Sequence, residues 1–409
     1  MSLDTMLEDL QELVVCESFS GDHAAVARSA GVVADQGRRR LGARPETIVI
    51  DGVTHLRWSF GPPRVLLVGH HDTVWPTGSL RTRPWSVADG IARGPGVFDM
   101  KAGLVQMFHA LAALPSPDGV CVLVTGDEEV GSPSSRALIE ESARGCAAAF
   151  VLEASADGGA LKTARKGTSA YEVTVYGRAA HAGLEPEKGA NAGVELAHQI
   201  LALAGIADRV NGDGPPPTAV ETPPGTAHGL PASPRPVSPA ARTPPAGAAP
   251  ETGPPNLLGP TTVTPTVLSA GVTVNTVPAL ARVSVDVRVP TLAAQQRVHD
   301  LMKALSPRLA GTRLEVRGGP NRPPLEETSS AGLFALARRV AADLGLGPLR
   351  GAGVGGASDG NFTAGVGCPT LDGLGAVGGG AHADGEHVIV AEMPGRAALL
   401  AGLVRAVLR

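Results

Sequence analysis

Aromatic residues make up only 3% of this 409-residue sequence, and no apolar run approaches the roughly 18 residues needed to span a membrane. An integral helical membrane protein is excluded on that ground. Basic charge is not in excess either: a formal net charge of -4 gives no electrostatic reason to expect nucleic acid or an anionic membrane surface as partner. Cysteine is scarce, with Cys16, Cys121, Cys146 and Cys368 far apart and in no metal-ligand spacing. Three of the four lie in apolar surroundings, as reduced core thiols of a reducing compartment do. The opening stretch MSLDTMLEDLQELVV carries acids where a secretory leader needs positive charge, and it lacks a sufficiently apolar central run. A cytoplasmic location is the expectation.

Glycine (53) and proline (35) are plentiful, and the chain is longer than one hydrophobic core usually serves, so two domains are expected. In the first 150 or so residues, helical and strand patterns alternate. LDTMLEDLQELVV has helical spacing, with Asp4 as a plausible cap. RVLLVG (64–69), VCVLVTG (120–126) and AAAFVLE (147–153) are short, continuously apolar runs, as strands buried on both faces are. AGLVQMFHALAAL (102–114) and PSSRALIEESARG (133–145) fit helices between them. The pattern predicts an α/β unit with a mostly parallel sheet.

Near residue 168 the character changes. SAYEVTVYG alternates like a half-exposed antiparallel strand, and a helix and two further strands follow, TPTVLSAG and ARVSVDVRV. The remainder returns to the first pattern and closes on the helix MPGRAALLAGLVRAVL. The reading is a sheet domain, 1–167 and 290–409, interrupted by a smaller α+β domain, 168–289. Within the latter, 212–260 holds fifteen prolines and no aromatic residue, a composition that buries too little apolar area to offset ordering. It reads as a mobile insertion, with a proline-rich docking segment as the alternative.

Carboxylates and histidines recur where the apolar runs end. VGHHDTV puts His70 and Asp72 after the first, GPGVFDMKAG puts Asp99 before a helix, and VLVTGDEEVGS puts Glu128 and Glu129 after the second. VLEAS adds Glu153, and GGGAHADGEH adds His382 in a glycine-rich turn. In a parallel α/β sheet the carboxyl ends of the strands form one rim, so these residues are expected to converge. An oxygen- and nitrogen-rich set without thiolate suits paired divalent metals, zinc among them. A bridging carboxylate holds such ions roughly 3.5–4 Å apart, and one of two adjacent glutamates can face the metals while the other takes a proton from the water they activate. Taken singly, each residue is equally readable as a solvated acid or a satisfied core histidine.

GHHDTV, GPGVFDMKAG, TGDEEVGS, VLEAS and GGGAHA, in this order, resemble the motifs of the dinuclear zinc peptidases. That family includes glutamate carboxypeptidase, succinyl-diaminopimelate desuccinylase, acetylornithine deacetylase and aminoacylase. The resemblance runs from about residue 10 to the C-terminus. It implies two divalent metal ions, zinc first, with cobalt or manganese as alternatives. His70 and Glu153 would hold one ion, Glu129 and His382 the other, and Asp99 would bridge. Asp72 would orient His70, and Glu128 would be the general base. GRAAHAG resembles the segment whose histidine, here His181, reaches the partner subunit's active site; this implies a homodimer formed through the smaller, lid-like domain. VNTVP and VDVRV resemble segments whose Asn and Arg bind the substrate carboxylate, which makes Asn275 and Arg288 candidates; a solvated strand arginine is the alternative for the latter. NRPPLE offers Arg322 as a further carboxylate partner, and the glycine-rich GGASDGNF offers backbone N–H groups to the same anion. DTVWPTG and TLDGLG look most like the glutamate carboxypeptidase branch. The expected activity is hydrolysis of an amide bond beside a free carboxylate, in a small peptide or an N-acyl amino acid. The alternatives are an aminoacylase or deacetylase, and a non-catalytic metal-binding or docking module.

Overall fold

The computed structural model of the protein describes residues 2–212 and 258–409. Most of the proline-rich insertion expected at 212–260 therefore lies outside the described residues. Strands β1 (Glu46–Ile50), β2 (Val53–Phe60), β3 (Val65–His70), β4 (Val120–Thr125) and β5 (Ala148–Val151) form a sheet in the order β1-β2-β4-β3-β5, with Thr370–Leu371 as a short sixth strand beside β5. Pairing is antiparallel from β1 to β4 and parallel from β4 onward, so β3 sits at the centre between two parallel neighbours.

The two-residue period of β3 divides its side chains between two cores. Val65 and Leu67 pack with Leu104, Val105 and Leu400, against the helices Ala102–Ala112 and Met393–Leu408. Leu66 and Val68 pack on the other face with Leu138, Ile139 and Phe362. All four are fully buried, each worth about 1.5–3 kcal/mol of transfer free energy. Helix Ala102–Ala112 approaches closely at Gly103, where a Cβ would fall 2.2 Å from the carbonyl oxygen of Leu152. That approach brings the start of the helix, and Asp99 ahead of it, against the segment carrying Glu153. The first helix, Leu3–Val15, corrects one detail: Ser2 precedes it, and Asp4 lies in its first turn rather than at its cap.

The smaller unit is an antiparallel sheet of β6 (Gly167–Tyr176), β7 (Thr262–Ala270), β8 (Leu280–Val289) and β9 (Arg313–Arg322), in the order β7-β8-β6-β9. Helices Ala192–Asn211 and Leu292–Lys303 cover one face through Leu196, Leu203, Ile206, Val298 and Met302. The expected boundary at residue 289 is therefore too early, because Leu292–Lys303 and β9 belong to this unit. The strand β9, RLEVRGGPNR, contains two glycines and a proline and reads poorly as a strand, as edge strands often do. Gly318 is required there: its φ is +91°, and a Cβ would lie 2.1 Å from the carbonyl oxygen of Ala170. No helix among the described residues is long and apolar enough to cross a membrane.

Candidate metal centre

The carboxyl ends of β3, β4 and β5 deliver the expected residues to one rim. His70 is the last residue of β3, the turn Glu128–Val130 follows β4, and Glu153 follows β5. Asp99 stands in the tight turn Val97–Lys101, and His382 in a loop where its own φ is +60°. His70 Nε2 lies 3.4 Å from Asp99 Oδ1 and 3.5 Å from Glu153 Oε1. His382 Nε2 lies 3.4 Å from Asp99 Oδ2 and 3.0 Å from Glu129 Oε2. Asp99 thus turns one oxygen to each imidazole, which is the disposition a bridging carboxylate needs.

The donor set fits divalent cations on a separate observation. His70 Nε2, Asp99 Oδ1 and Glu129 Oε1 are buried and make no hydrogen bond. Unpaired buried polar atoms are costly, so three of them facing one small volume indicate a missing partner of another kind. Ligand atoms of His70, Asp99 and Glu129 fall within 4.8 Å of one another, and so do those of His70, Glu128 and Glu153. In the second set Glu128 stands close enough to act as a ligand, the role expected of its neighbour.

Electrostatics follow from packing four carboxylates against two imidazoles. Burial opposes a charge on His70, yet Asp72, Asp99 and Glu153 together hold its proton well above the ordinary range. Hydrogen bonds that His382 donates to Asp99 and Glu129 raise it to about 10. Asp99 is lowered: burial pushes it upward, and the two histidines more than offset this. Burial pushes Glu128 up to about 8 against the pull of Arg322. Protons here occupy places where cations are favoured.

Asp72 holds the expected orienting position and does more. It is fully buried, with Oδ1 3.4 Å from His70 Nδ1; it accepts from Ser20 Oγ at 2.7 Å and from the backbone N–H groups of Glu128 and Glu129 at 3.2 Å each. One carboxylate therefore aligns both the histidine and the glutamate turn. His71, adjacent in sequence, faces away, with Nε2 3.1 Å from the carbonyl oxygen of Thr54; burial lowers it to about 4, so it is neutral.

Several supports were not read from the sequence. Asp127, the first acid of the DEE run, is buried and accepts from the backbone N–H and hydroxyl of both Ser134 and Ser135, pinning the turn that aims the next two. The serines of SPSS, a few residues on, were the available signal. Glu153 Oε2 lies 3.4 Å from Arg165 and 3.8 Å from Lys162. The guanidinium of Arg322 is 6% exposed; Nη1 donates to Glu128 Oε1 at 2.7 Å, and Nη2 donates to Ser132 Oγ at 2.7 Å and to Asp359 at 3.4 Å. The end of β9 thus turns Arg322, expected as a partner for a substrate carboxylate, onto the general-base candidate, while its Nε is buried without a hydrogen-bond partner. In the GGASDGNF loop, Ser358 N–H donates to Asn361 and Gly360 N–H to the Ser358 hydroxyl.

The remaining candidates lie on the smaller unit. The His181 segment bridges Thr276, and the backbone oxygen of Asn275 accepts from Ala182 N–H at 2.9 Å, so GRAAHAG and VNTVP lie side by side. His181 is exposed, its Nδ1 accepting from the N–H groups of Gly183 and Leu184. Arg288 makes a two-pronged pair with Asp286, both bonds 3.0 Å. Among the described residues, none of these three side chains is bonded to the metal cluster.

Residues 66–406 match the family described as peptidase family M20/M25/M40. Carboxypeptidase G2 of Pseudomonas sp. (strain RS-16) is 33% identical over 218 residues, half of this chain and 52% of that protein. A succinyl-diaminopimelate desuccinylase of Anaplasma marginale (strain Florida) is 41% identical over 78 residues, 18% of this chain and 20% of that one. The chain thus matches about half the length of the first relative and less of the second. The crystal structure of aminopeptidase PepT from Bacillus cereus ATCC 10987 superposes over the whole of both chains with a TM-score of 0.68 at 20% identity, a likeness of fold. With most of its length matched, the chain belongs to peptidase family M20/M25/M40.

Proposed function

We propose that the protein is a two-metal hydrolase that cleaves an amide bond beside a free carboxylate, removing the C-terminal residue from a small peptide or an N-acyl amino acid. The observation that carries this reading is Asp99, with one oxygen toward His70 and the other toward His382. His70, Glu153 and Asp99 would hold one ion, and Glu129, His382 and Asp99 the other. Zinc suits this nitrogen and oxygen set, as do cobalt and manganese. Bound there, the two ions would supply Lewis acidity that polarises the scissile carbonyl and acidifies a water.

The chain's own residues do the rest. Glu128 takes the proton of the attacking water and later delivers it to the leaving amine. Arg322 holds one oxygen of Glu128 in place. Asp72 fixes the ring of His70 and the backbone of the glutamate turn together. Arg288 and Asn275 remain the candidates for the substrate carboxylate. A homodimer through the smaller unit would cover its exposed apolar groups: Leu184, Val267, Leu268, Val272 and Val274 all face solvent. His181, in the same region, would serve the neighbouring site. The likeness to a desuccinylase supports a second reading, release of an acyl group from an amino acid by the same chemistry.

Incubation with a strong chelator should abolish hydrolysis across a panel of dipeptides and N-acyl amino acids, and zinc, cobalt or manganese should restore it. The substrate cleaved fastest separates the two readings. Full activity in protein shown by elemental analysis to be metal-free would overturn both.

A further inference from the structure

We propose that Glu386 is a positioning residue of the metal centre: its carboxylate ties the loop carrying His382 to the turn carrying Asp99, and so sets the spacing of two ligands. The inference rests on the metal-binding reading above.

Glu386 is 4% exposed and its carboxylate is fully used. Oε1 accepts from the backbone N–H groups of Phe98 at 2.9 Å and Asp99 at 3.1 Å. Oε2 accepts from Gly96 N–H at 3.0 Å and from Trp75 Nε1 at 2.6 Å. Three of the four donors are thus amides of the turn that presents Asp99, one of them Asp99's own. A carboxylate that accepts from several backbone N–H groups fixes the backbone that donates to it.

The other end of the link is short and stiff. Three residues separate His382 from Glu386, and the loop folds on itself through Ala383 N–H to Gly380 O at 2.9 Å and Glu386 N–H to Ala383 O at 3.0 Å. Gly380 is left-handed, and a Cβ there would lie 2.7 Å from the Gly385 oxygen, so the turn has little room to adjust. Displacing the Glu386 carboxylate therefore moves His382 through a compact turn and Asp99 through a direct bond. Both are ligand candidates for the same ion, the one shared with Glu129. The His70 and Glu153 side is held separately, by Asp72 and by Arg165 with Lys162.

The chemistry of the site makes glutamine a sharp probe. Each oxygen of Glu386 accepts two N–H groups. An amide must turn its NH₂ toward one of those pairs whichever way it is flipped. Glu386→Gln keeps the size, loses two bonds and sets donors against donors. Trp75→Phe removes a single donor that lies outside the ligand turn.

The test is stepwise metal titration of chelator-stripped protein against a chromophoric competitor, with cobalt spectra recorded on the same samples. Wild type should take two equivalents. Glu386→Gln should bind the second equivalent about 10–100-fold more weakly, the usual cost of losing a residue that orients a ligand, with the first little changed. Its cobalt spectrum at full loading should differ from wild type, and Trp75→Phe should match wild type in both respects. A residue that only stabilises the fold would lower the melting temperature and leave affinities and spectrum alone. Folded Glu386→Gln that binds both equivalents as wild type does, with the wild-type spectrum, overturns the inference. Should Glu386→Gln not fold, Glu386→Asp decides in its place: the charge is kept, but the shorter side chain cannot reach both segments, so the same selective loss is expected and its absence overturns the inference. Wild type that takes no metal overturns the two-metal reading itself, and the inference with it.

Discussion

The metal cluster and the His181 region of the smaller unit both place polar side chains at the edge of a sheet, but they are held very differently. Around the cluster almost every side chain has a second layer behind it. Asp72 stands behind His70 and the glutamate turn, Asp127 and its two serines behind that turn, and Glu386 behind Asp99. His181 is held only by two neighbouring backbone amides, and Val272 and Val274 beside it are almost wholly exposed. The candidate ligands at the strand ends are backed by residues of the same chain, although the side chain of His382 is half exposed. If His181 serves a neighbouring site, as proposed, its exposed turn is a half-site that a second copy would complete.

The largest effect that would sharpen the contrast comes from the two adjacent glutamates. Glu128→Gln should lower turnover by about 10²–10⁴-fold, the range typical of a general base, while both metals stay bound. Glu129→Gln should instead reduce the metal content. Because Glu128 also stands within 4.8 Å of ligand atoms of His70 and Glu153, metal lost from Glu128→Gln with turnover kept would reverse the two roles.

Next comes the half-site. Loss of a hydrogen-bond donor to the developing oxyanion typically costs about 10²–10³-fold, so His181→Ala should be nearly inactive while binding both metals normally. Mixing it with inactive Glu128→Gln should restore activity as subunits exchange, because one site of each mixed dimer then carries both groups. Random pairing makes about half the dimers mixed, so recovery tops out near a quarter of wild type. A mixture that exchanges subunits by mass spectrometry but stays inactive would put His181 outside a shared site and break the comparison.

The smallest effect concerns the scaffold under the cluster rather than the cluster. Asp9, on the first helix, is 5% exposed and pairs with His109 Nε2 at 2.9 Å and Arg40 Nε at 2.8 Å. Burial works against its charge, but these partners outweigh it and lower its pKa. A lowered folded-state pKa gives stability that is full above the unfolded value and lost as pH falls through the folded one. Asp9→Asn should therefore cost about 1–3 kcal/mol at neutral pH, and its melting temperature should converge with that of wild type under acid conditions. A gap that stays constant with pH would show that packing, not charge, holds this helix.

Much of the cluster was legible because His70, the Glu128–Glu129 pair and Glu153 sit where continuously apolar runs stop. VLLVGH, VCVLVT and AAFV are strands that end at the rim, so the residues that follow them converge by topology. The same logic failed to show the contact of Arg322 with Glu128, because Arg322 ends a glycine-broken edge strand whose local pattern does not reveal that it belongs to the smaller sheet. It failed also for Asp127 and Glu386, whose single-letter context looks like that of any acid in a turn. Their roles lie in what they accept, and backbone N–H donors leave no mark in sequence.

By itself the sequence determined the α/β alternation, the change to an antiparallel unit near residue 168 and the list of ligand-type residues, because apolar periodicity and residue chemistry are local properties. Only the tertiary structure decided which oxygen of Asp99 faces which histidine, which donors each acid accepts from, and that β9 pairs into the smaller sheet. Those outcomes depend on contacts such as that between Glu386 and Gly96, 290 residues apart, and on strand register in β9. The direction of a carboxylate is set by whatever donors the fold brings to it, and local sequence holds no record of them.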